Sequence, residues 1–300
     1  MIYLFFEVIV RTAIALAKAT WRRYPNIRCK KVGWVISYLC WLSTLCLFIC
    51  ISPRRGILFS ALYGWFRPAD DVLDGDDLSP PKDISRYIME KSLLIQDFKC
   101  GRLESSIPRG EDRLLIAIQC FAKSLGMLDE VIRYVPTIWK HMVDDYTWRT
   151  SSIIPTSLEL DEFARSQDEA IFRLAALVFG ADKEMFANIS LDCLGAFTRT
   201  DWISDLGPDL RSGLVHLPKE FGFRYEDVTF DNAHNAIMGE LWQQIGLEVL
   251  ATDKLWCQIN QERCQLMQAF RFKTLGRLYD LFMISWIEKN HRKNMRRFFR

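Results

Sequence analysis

The stretch Tyr63-Gly-Trp-Phe-Arg67-Pro-Ala-Asp70-Asp71-Val-Leu-Asp74-Gly-Asp-Asp77 places Asp70 and Asp74 four residues apart. About 130 residues on, Thr200-Asp201-Trp-Ile-Ser-Asp205-Leu-Gly-Pro-Asp209 repeats that interval twice. On a helix, residues four apart lie on one face, so each segment lines up a stripe of carboxylates. Two such stripes facing each other would cage a hard divalent cation. Magnesium prefers oxygen ligands and commonly bridges carboxylates to the phosphates of a substrate. The paired segments therefore point to an enzyme that handles a diphosphate.

Each segment also has a plain structural explanation. Like charges four apart destabilise an isolated helix by about 0.2–0.5 kcal/mol, so something must compensate. In the first segment that could be a metal, simple solvation of an acidic helix end, or an intrahelical pair from Arg67 to Asp70 or Asp71. Pro68 removes a backbone bond and predicts a kink just before the aspartates. The second segment argues more strongly for chemistry. Its acids stand toward a helix C-terminus, where the macrodipole disfavours them, and Gly207-Pro208 ends or tightens that helix.

Helical periodicity runs through the rest of the chain. Leu114 to Leu128, Leu158 to Gly180, Asp182 to Asp205, Asn232 to Leu250 and Leu255 to Lys289 read as helices. Breaks fall at Gly75 to Lys82, Ser105 to Gly110, Thr150 to Ser157 and Gly207 to Phe230. β-branched alternation is almost absent, which makes the chain all-α. No break invites a cut, so residues 34–300 read as one domain, preceded by an N-terminal segment at residues 1–33.

Half of the 300 residues are apolar and the net charge is +2, which supports a sizeable core and excludes a general nucleic-acid binder. Nine dispersed cysteines without a CxxC pair read as reduced thiols in a cytosolic compartment, and four scattered histidines offer no zinc spacing. Met1 to Ala19, followed by Trp21-Arg-Arg23, suits an interfacial amphipathic helix. Trp34 to Ile51 is uncharged between Arg28-Cys-Lys-Lys31 and Arg54-Arg55. It is either a minimal membrane span or a buried helix of a helical core. The expectation is a cytoplasmic protein associated with a membrane surface through its N-terminal region.

Leu62 to Asp74 resembles the first aspartate-rich motif of the squalene/phytoene synthase family: an aromatic, Cys-Arg, two variable residues and Asp-x-x-x-Asp. Leu194 to Pro218 resembles the second, Gln-x-x-Asn-x-x-Arg-Asp-x-x-x-Asp followed by a basic loop ending Tyr-Leu-Pro. Order and spacing agree from about Ser43 to about Pro218. The resemblance implies an all-α, class I isoprenoid synthase-like bundle around a central cavity. It implies Mg2+ as cofactor and allylic prenyl diphosphates, farnesyl or geranylgeranyl, as substrates, two of which are coupled head to head. Asp70 and Asp74 would hold metal on one side, with Asp205 and Asp209 opposite and Asp201 standing where the family has Asn. Arg67 fits the diphosphate-contacting arginine. Arg211 and Ser43 are further diphosphate contacts by position, although Thr44 replaces the phenylalanine beside that serine. In the family the helix corresponding to Trp34 to Ile51 helps line the cavity.

Departures bear on the pocket. Ser204 and Leu214 replace arginines, Thr198 a glutamine and His216 a tyrosine. Asp168, Glu169 and Phe172 stand where small residues face the family's cavity. Phe59, Tyr63, Phe66, Phe172, Phe197 and Trp202 lie near the motifs, either lining a cavity or packing a core. A cyclase acting on one prenyl diphosphate and a non-catalytic scaffold on the same fold are the alternatives. No Gly-x-Gly-x-x-Gly fingerprint supports a nicotinamide-dependent step.

Overall fold

The computed structural model describes residues 2–22, 52–75, 80–103, 110–179 and 209–236, with the single positions 38, 39, 42, 43, 45, 46, 49, 50, 195, 198, 199, 202 and 206. The protein is all-α, and no strand occurs among the described residues. In chain order the helices are α1 (Ile2–Arg22), α2 (Pro53–Leu73), α3 (Ile84–Lys99), α4 (Arg113–Ser124), α5 (Leu128–Thr150), α6 (Ser157–Phe179) and α7 (Phe230–Ala236). Short 3-10 turns at Lys219–Phe221 and Tyr225–Asp227 precede α7.

Local chemistry sets these boundaries. Pro53 opens α2, where its missing N–H costs nothing. Asp83 caps α3 by accepting from the Arg86 N–H at 2.9 Å. Acids in the first turn of α5 (Asp129, Glu130) and Arg149 in its last turn complement the macrodipole. A reciprocal capping box starts α6: Glu159 accepts from the Thr156 N–H at 2.7 Å, and Thr156 Oγ1 accepts from the Glu159 N–H at 3.3 Å. The Thr156 N–H and, at 2.8 Å, the Thr156 hydroxyl both donate to the Glu159 carboxylate, and these two bonds, the backbone one first, hold it below its usual range.

α4 and α6 match the expected periodic segments Leu114 to Leu128 and Leu158 to Gly180, with the first stopping at Ser124. α3 and α5 add helices that periodicity left unassigned. Asp182 to Asp205 and Leu255 to Lys289 lie wholly or mostly outside the described residues, and Asn232 to Leu250 is described only to Ala236. Pro68 sits inside α2, which continues to Leu73.

The chain divides into two compact units, residues 1–146 with 170–183, and residues 147–169 with 184–300. Residues 1–33 thus belong to the first unit with the start of the expected 34–300 domain. That unit's core gathers Leu58, Trp65, Leu73, Phe98, Leu114, Leu115, Ile118, Val131 and Val135, all essentially buried. Burying a large aliphatic or aromatic side chain of this kind contributes about 1.5–3 kcal/mol. Trp65 meets Phe66 edge-on at 5.0 Å and Trp139 at 5.6 Å. α1 lies on α2, with Thr12 Oγ1 donating to the Ser60 carbonyl at 2.7 Å. Gly64 permits the approach, because a Cβ there would stand 3.0 Å from Thr12 Oγ1 and 3.1 Å from Leu114 Cδ1. No described helix is long and apolar enough to cross a membrane, and most of Trp34 to Ile51 lies outside the described residues.

In the second unit, Leu206, Val215, Leu217 and Ala233 form a smaller core. From Gly213 to Thr229 the segment after the second aspartate stretch is irregular apart from the 3-10 turns, within the expected break from Gly207 to Phe230. It is tied back by the Lys219 N–H, which donates to the Pro155 carbonyl at 2.8 Å.

Candidate functional site

The first aspartate segment is the last turn of α2. Asp70, Asp71 and Asp74 therefore meet the negative end of the helix dipole, and Asp74 is the C-cap residue, exposed to solvent. The compensation is Arg67. Its Nη1 donates to Asp70 Oδ2 at 2.8 Å and its Nη2 to Asp71 Oδ1 at 2.7 Å. The two carboxylates differ sharply in environment: Asp71 is 2% exposed, Asp70 36%. Burial works against the charged guanidinium, but Asp70 and Asp71 outweigh it and raise its pKa. Arg67 Nε is buried without a hydrogen-bond partner.

The intrahelical pairing weighed from the sequence is thus present, and it engages both acids at once. Asp71, which the sequence offered only as one of two possible partners for Arg67 at the i,i+4 interval, is the buried member.

In the second segment, Asp201 and Asp205 lie outside the described residues, and residues 209–212, with Asp209 among them, are helical. The Asp209 Oδ2 stands 3.5 Å from His216 Nδ1, with 23% of its side chain exposed. His216 is enclosed by aromatic rings. Trp202 stacks on it at 4.5 Å and 15°, Trp148 meets it edge-on at 6.3 Å, and Phe163 packs on both tryptophans. Arg211 is exposed on the same turn. Ser43, in the first unit, is helical and exposed. Among the expected cavity aromatics, Phe59 and Phe66 pack against the first unit's core, Trp202 joins the His216 cluster, and the side chains of Phe172 and Phe197 lie outside the described residues.

Asp168 and Thr198, 30 residues apart, are partners. Asp168 is fully buried on α6 and accepts from the Gly195 N–H at 2.7 Å, the Thr198 N–H at 3.1 Å and Thr198 Oγ1 at 2.6 Å. Gly195 has φ +98°, open to glycine at no steric cost, and the Arg199 N–H closes the first helical bond onto the Gly195 carbonyl at 2.9 Å. Asp168 on α6 therefore satisfies the backbone N–H groups of Gly195 and Thr198 in the manner of a capping side chain. Arg199, itself buried, pairs with Asp161; burial lowers its pKa and Asp161 opposes that shift.

The donor set, carboxylate oxygens throughout, fits a hard cation such as magnesium in chemistry. Asp74 and Asp209 retain solvent access, while Asp70 would have to exchange Arg67 for the ion. Among the described residues no three of His, Cys, Asp or Glu form a group able to hold a metal, so such a site needs acids beyond them. No family model, no curated protein and no solved structure matches the chain.

Proposed function

We propose that this protein is a squalene/phytoene synthase-like transferase of isoprenoid biosynthesis. In this reading it couples two allylic prenyl diphosphates head to head with loss of pyrophosphate. The observation that carries the reading is the recurrence of aspartates at four-residue intervals in two segments, the first of them at the C-terminal end of α2. The all-α architecture agrees with an isoprenoid synthase-like bundle. Bound magnesium would supply the charge that makes diphosphate a leaving group. Asp70, Asp74, Asp201, Asp205 and Asp209 would hold it, and Arg67, with Ser43 and Arg211, would bind diphosphate oxygens. Breaking the allylic carbon–oxygen bond leaves its electron pair on the diphosphate, and a preorganised guanidinium stabilises that developing charge without reorganisation.

A cyclase acting on one prenyl diphosphate is the second reading. It is favoured by the Asp168–Thr198 contact, which puts a buried, fully engaged carboxylate where the family keeps a small cavity residue. A non-catalytic scaffold draws support from the Arg67 ion pairs, since they give Asp70 and Asp71 a structural role.

The experiment is to incubate the purified protein and magnesium with farnesyl or geranylgeranyl diphosphate, measuring pyrophosphate and product mass. Coupling yields a product with twice the carbon count of its substrate, whereas a cyclic product of unchanged carbon count means a cyclase. We expect Asp74→Ala and Asp205→Ala each to abolish turnover while leaving the helical circular dichroism intact. Full activity in either variant, or no pyrophosphate release from the native chain, overturns the proposal.

A further inference from the structure

α1 has two apolar faces, and the core takes only one of them. Val8, Thr12, Ala15 and Leu16 are buried, and this side of the helix lies on α2, where Thr12 Oγ1 donates to the Ser60 carbonyl. Half a turn round, Phe6, Val10 and Ile14 recur every four residues, each more than half exposed. A helix packed on a core by one face ordinarily turns charged and polar residues outward. We infer that the face made by Phe6, Val10 and Ile14 docks α1 in the plane of an anionic lipid surface, while its other face stays packed on α2.

Charge selects this partner. Between Glu7 and Asp70 the sequence holds ten Lys and Arg and no Asp or Glu, although the whole chain carries only +2, so the remainder is net acidic. Glu7, the acid of α1, is itself neutralised: Arg11 stands 3.1 Å from it and Arg113 of α4 3.6 Å, with 10% of its side chain exposed. Lys18 is exposed one turn beyond Ile14, and Arg22, Arg23, Arg28, Lys30 and Lys31 follow in the sequence. A nucleic acid would meet this charge but leave the apolar stripe in water. A second copy would bury the stripe but bring like charges together, which costs affinity. An anionic bilayer accepts both, because apolar side chains enter the acyl boundary while cations stay among the headgroups.

The test sediments the full chain with vesicles of phosphatidylcholine alone, or of phosphatidylcholine with phosphatidylserine. Binding should be about tenfold or more tighter to the anionic vesicles, and should weaken as salt shortens the Debye length. Phe6→Ser with Val10→Ser and Ile14→Ser should weaken that binding by about tenfold or more. Met89→Ser with Leu93→Ser removes a similarly exposed apolar pair on α3 of the same unit, and should bind like the native chain. Lys18→Glu keeps the apolar face and reverses one charge, and should cost about tenfold on anionic vesicles.

Circular dichroism checks that each variant is folded, and if the triple variant fails to fold, Lys18→Glu carries the test. Light scattering without lipid reads the oligomeric state. The docking is overturned by a native chain that binds neither vesicle or both equally. Native-like binding in the folded triple variant or in Lys18→Glu, or an equal loss in the α3 variant, overturns it too. So does a lipid-free dimer that the triple variant dissociates, since a second copy then covers the face.

Discussion

Replacing Asp168 with alanine should be among the most costly single substitutions in the second unit. The carboxylate is 0% exposed and accepts three hydrogen bonds, from Gly195 N, Thr198 N and Thr198 Oγ1. Each bond to a charged acceptor is worth about 1.5–3 kcal/mol, and the donors left behind are costly to keep buried and unpaired. These contributions do not add, and a carboxyl group buried this deeply carries a desolvation cost that the substitution relieves. Removing one partner from a buried charged network costs about 3–5 kcal/mol, and that is the loss we expect. Urea denaturation followed by far-ultraviolet circular dichroism and tryptophan fluorescence would measure it, since Trp148 and Trp202 belong to the same unit. Thr198→Val completes a double-mutant cycle, with an expected coupling of about 1–2 kcal/mol. A loss below about 0.5 kcal/mol for Asp168→Ala, or additivity in the cycle, would refute the cross-helix cap.

Acid should weaken the first unit through His141, whose side chain is 6% exposed and whose pKa burial lowers to about 4, with Lys140 adding to the shift. An unfolded histidine titrates near about 6.5, so the unfolded chain binds the extra proton first. Stability is therefore full above that value and falls as pH drops toward 4, by about 3 kcal/mol in all, and His141→Gln should flatten that part of the profile. An unchanged slope in the variant would assign the acid sensitivity to other groups. The expected association with a membrane surface is tested through α1, where Phe6, Val10 and Ile14 recur on successive turns at 60, 55 and 53% exposure, with exposed Lys18 beyond them. Val10→Glu with Ile14→Glu should abolish co-sedimentation with anionic lipid vesicles, and native-like binding in that variant would remove the proposal.

Fold class and the positions of the main breaks were legible because they depend on local rules. Periodicity marked α4 and α6, and the turn residues from Thr150 to Ser157 interrupted helices where the chain does break, while within Gly207 to Phe230 the described chain is helical over 209–212 and leaves the α-helix only from Gly213. α3 and α5 escaped notice because their apolar stripes are diluted by charge, as in Glu90-Lys91 and Asp144-Asp145. Lys91 is the instructive case. It reads as a solvated residue, yet it lies 5% exposed beside Tyr87 and is paired with Glu111 at 2.8 Å and with Asp112. Those partners sit about 20 residues away in sequence, beyond any helical interval.

The carboxylate stripes follow the same division. Spacing alone established that Asp70 and Asp74, and likewise Asp201, Asp205 and Asp209, fall at helical intervals, since 3.6 residues per turn makes that a property of the chain. Spacing also permitted an Arg67 pair with Asp70 or Asp71, without saying which. The tertiary structure decided that both are engaged and that Asp71 is the buried one, because desolvation depends on what packs around a side chain. The link from Asp168 to Thr198, and the enclosure of His216 by Trp148 and Trp202, arose only in three dimensions. They join residues tens of positions apart, and no local rule relates residues whose meeting is set by how helices pack.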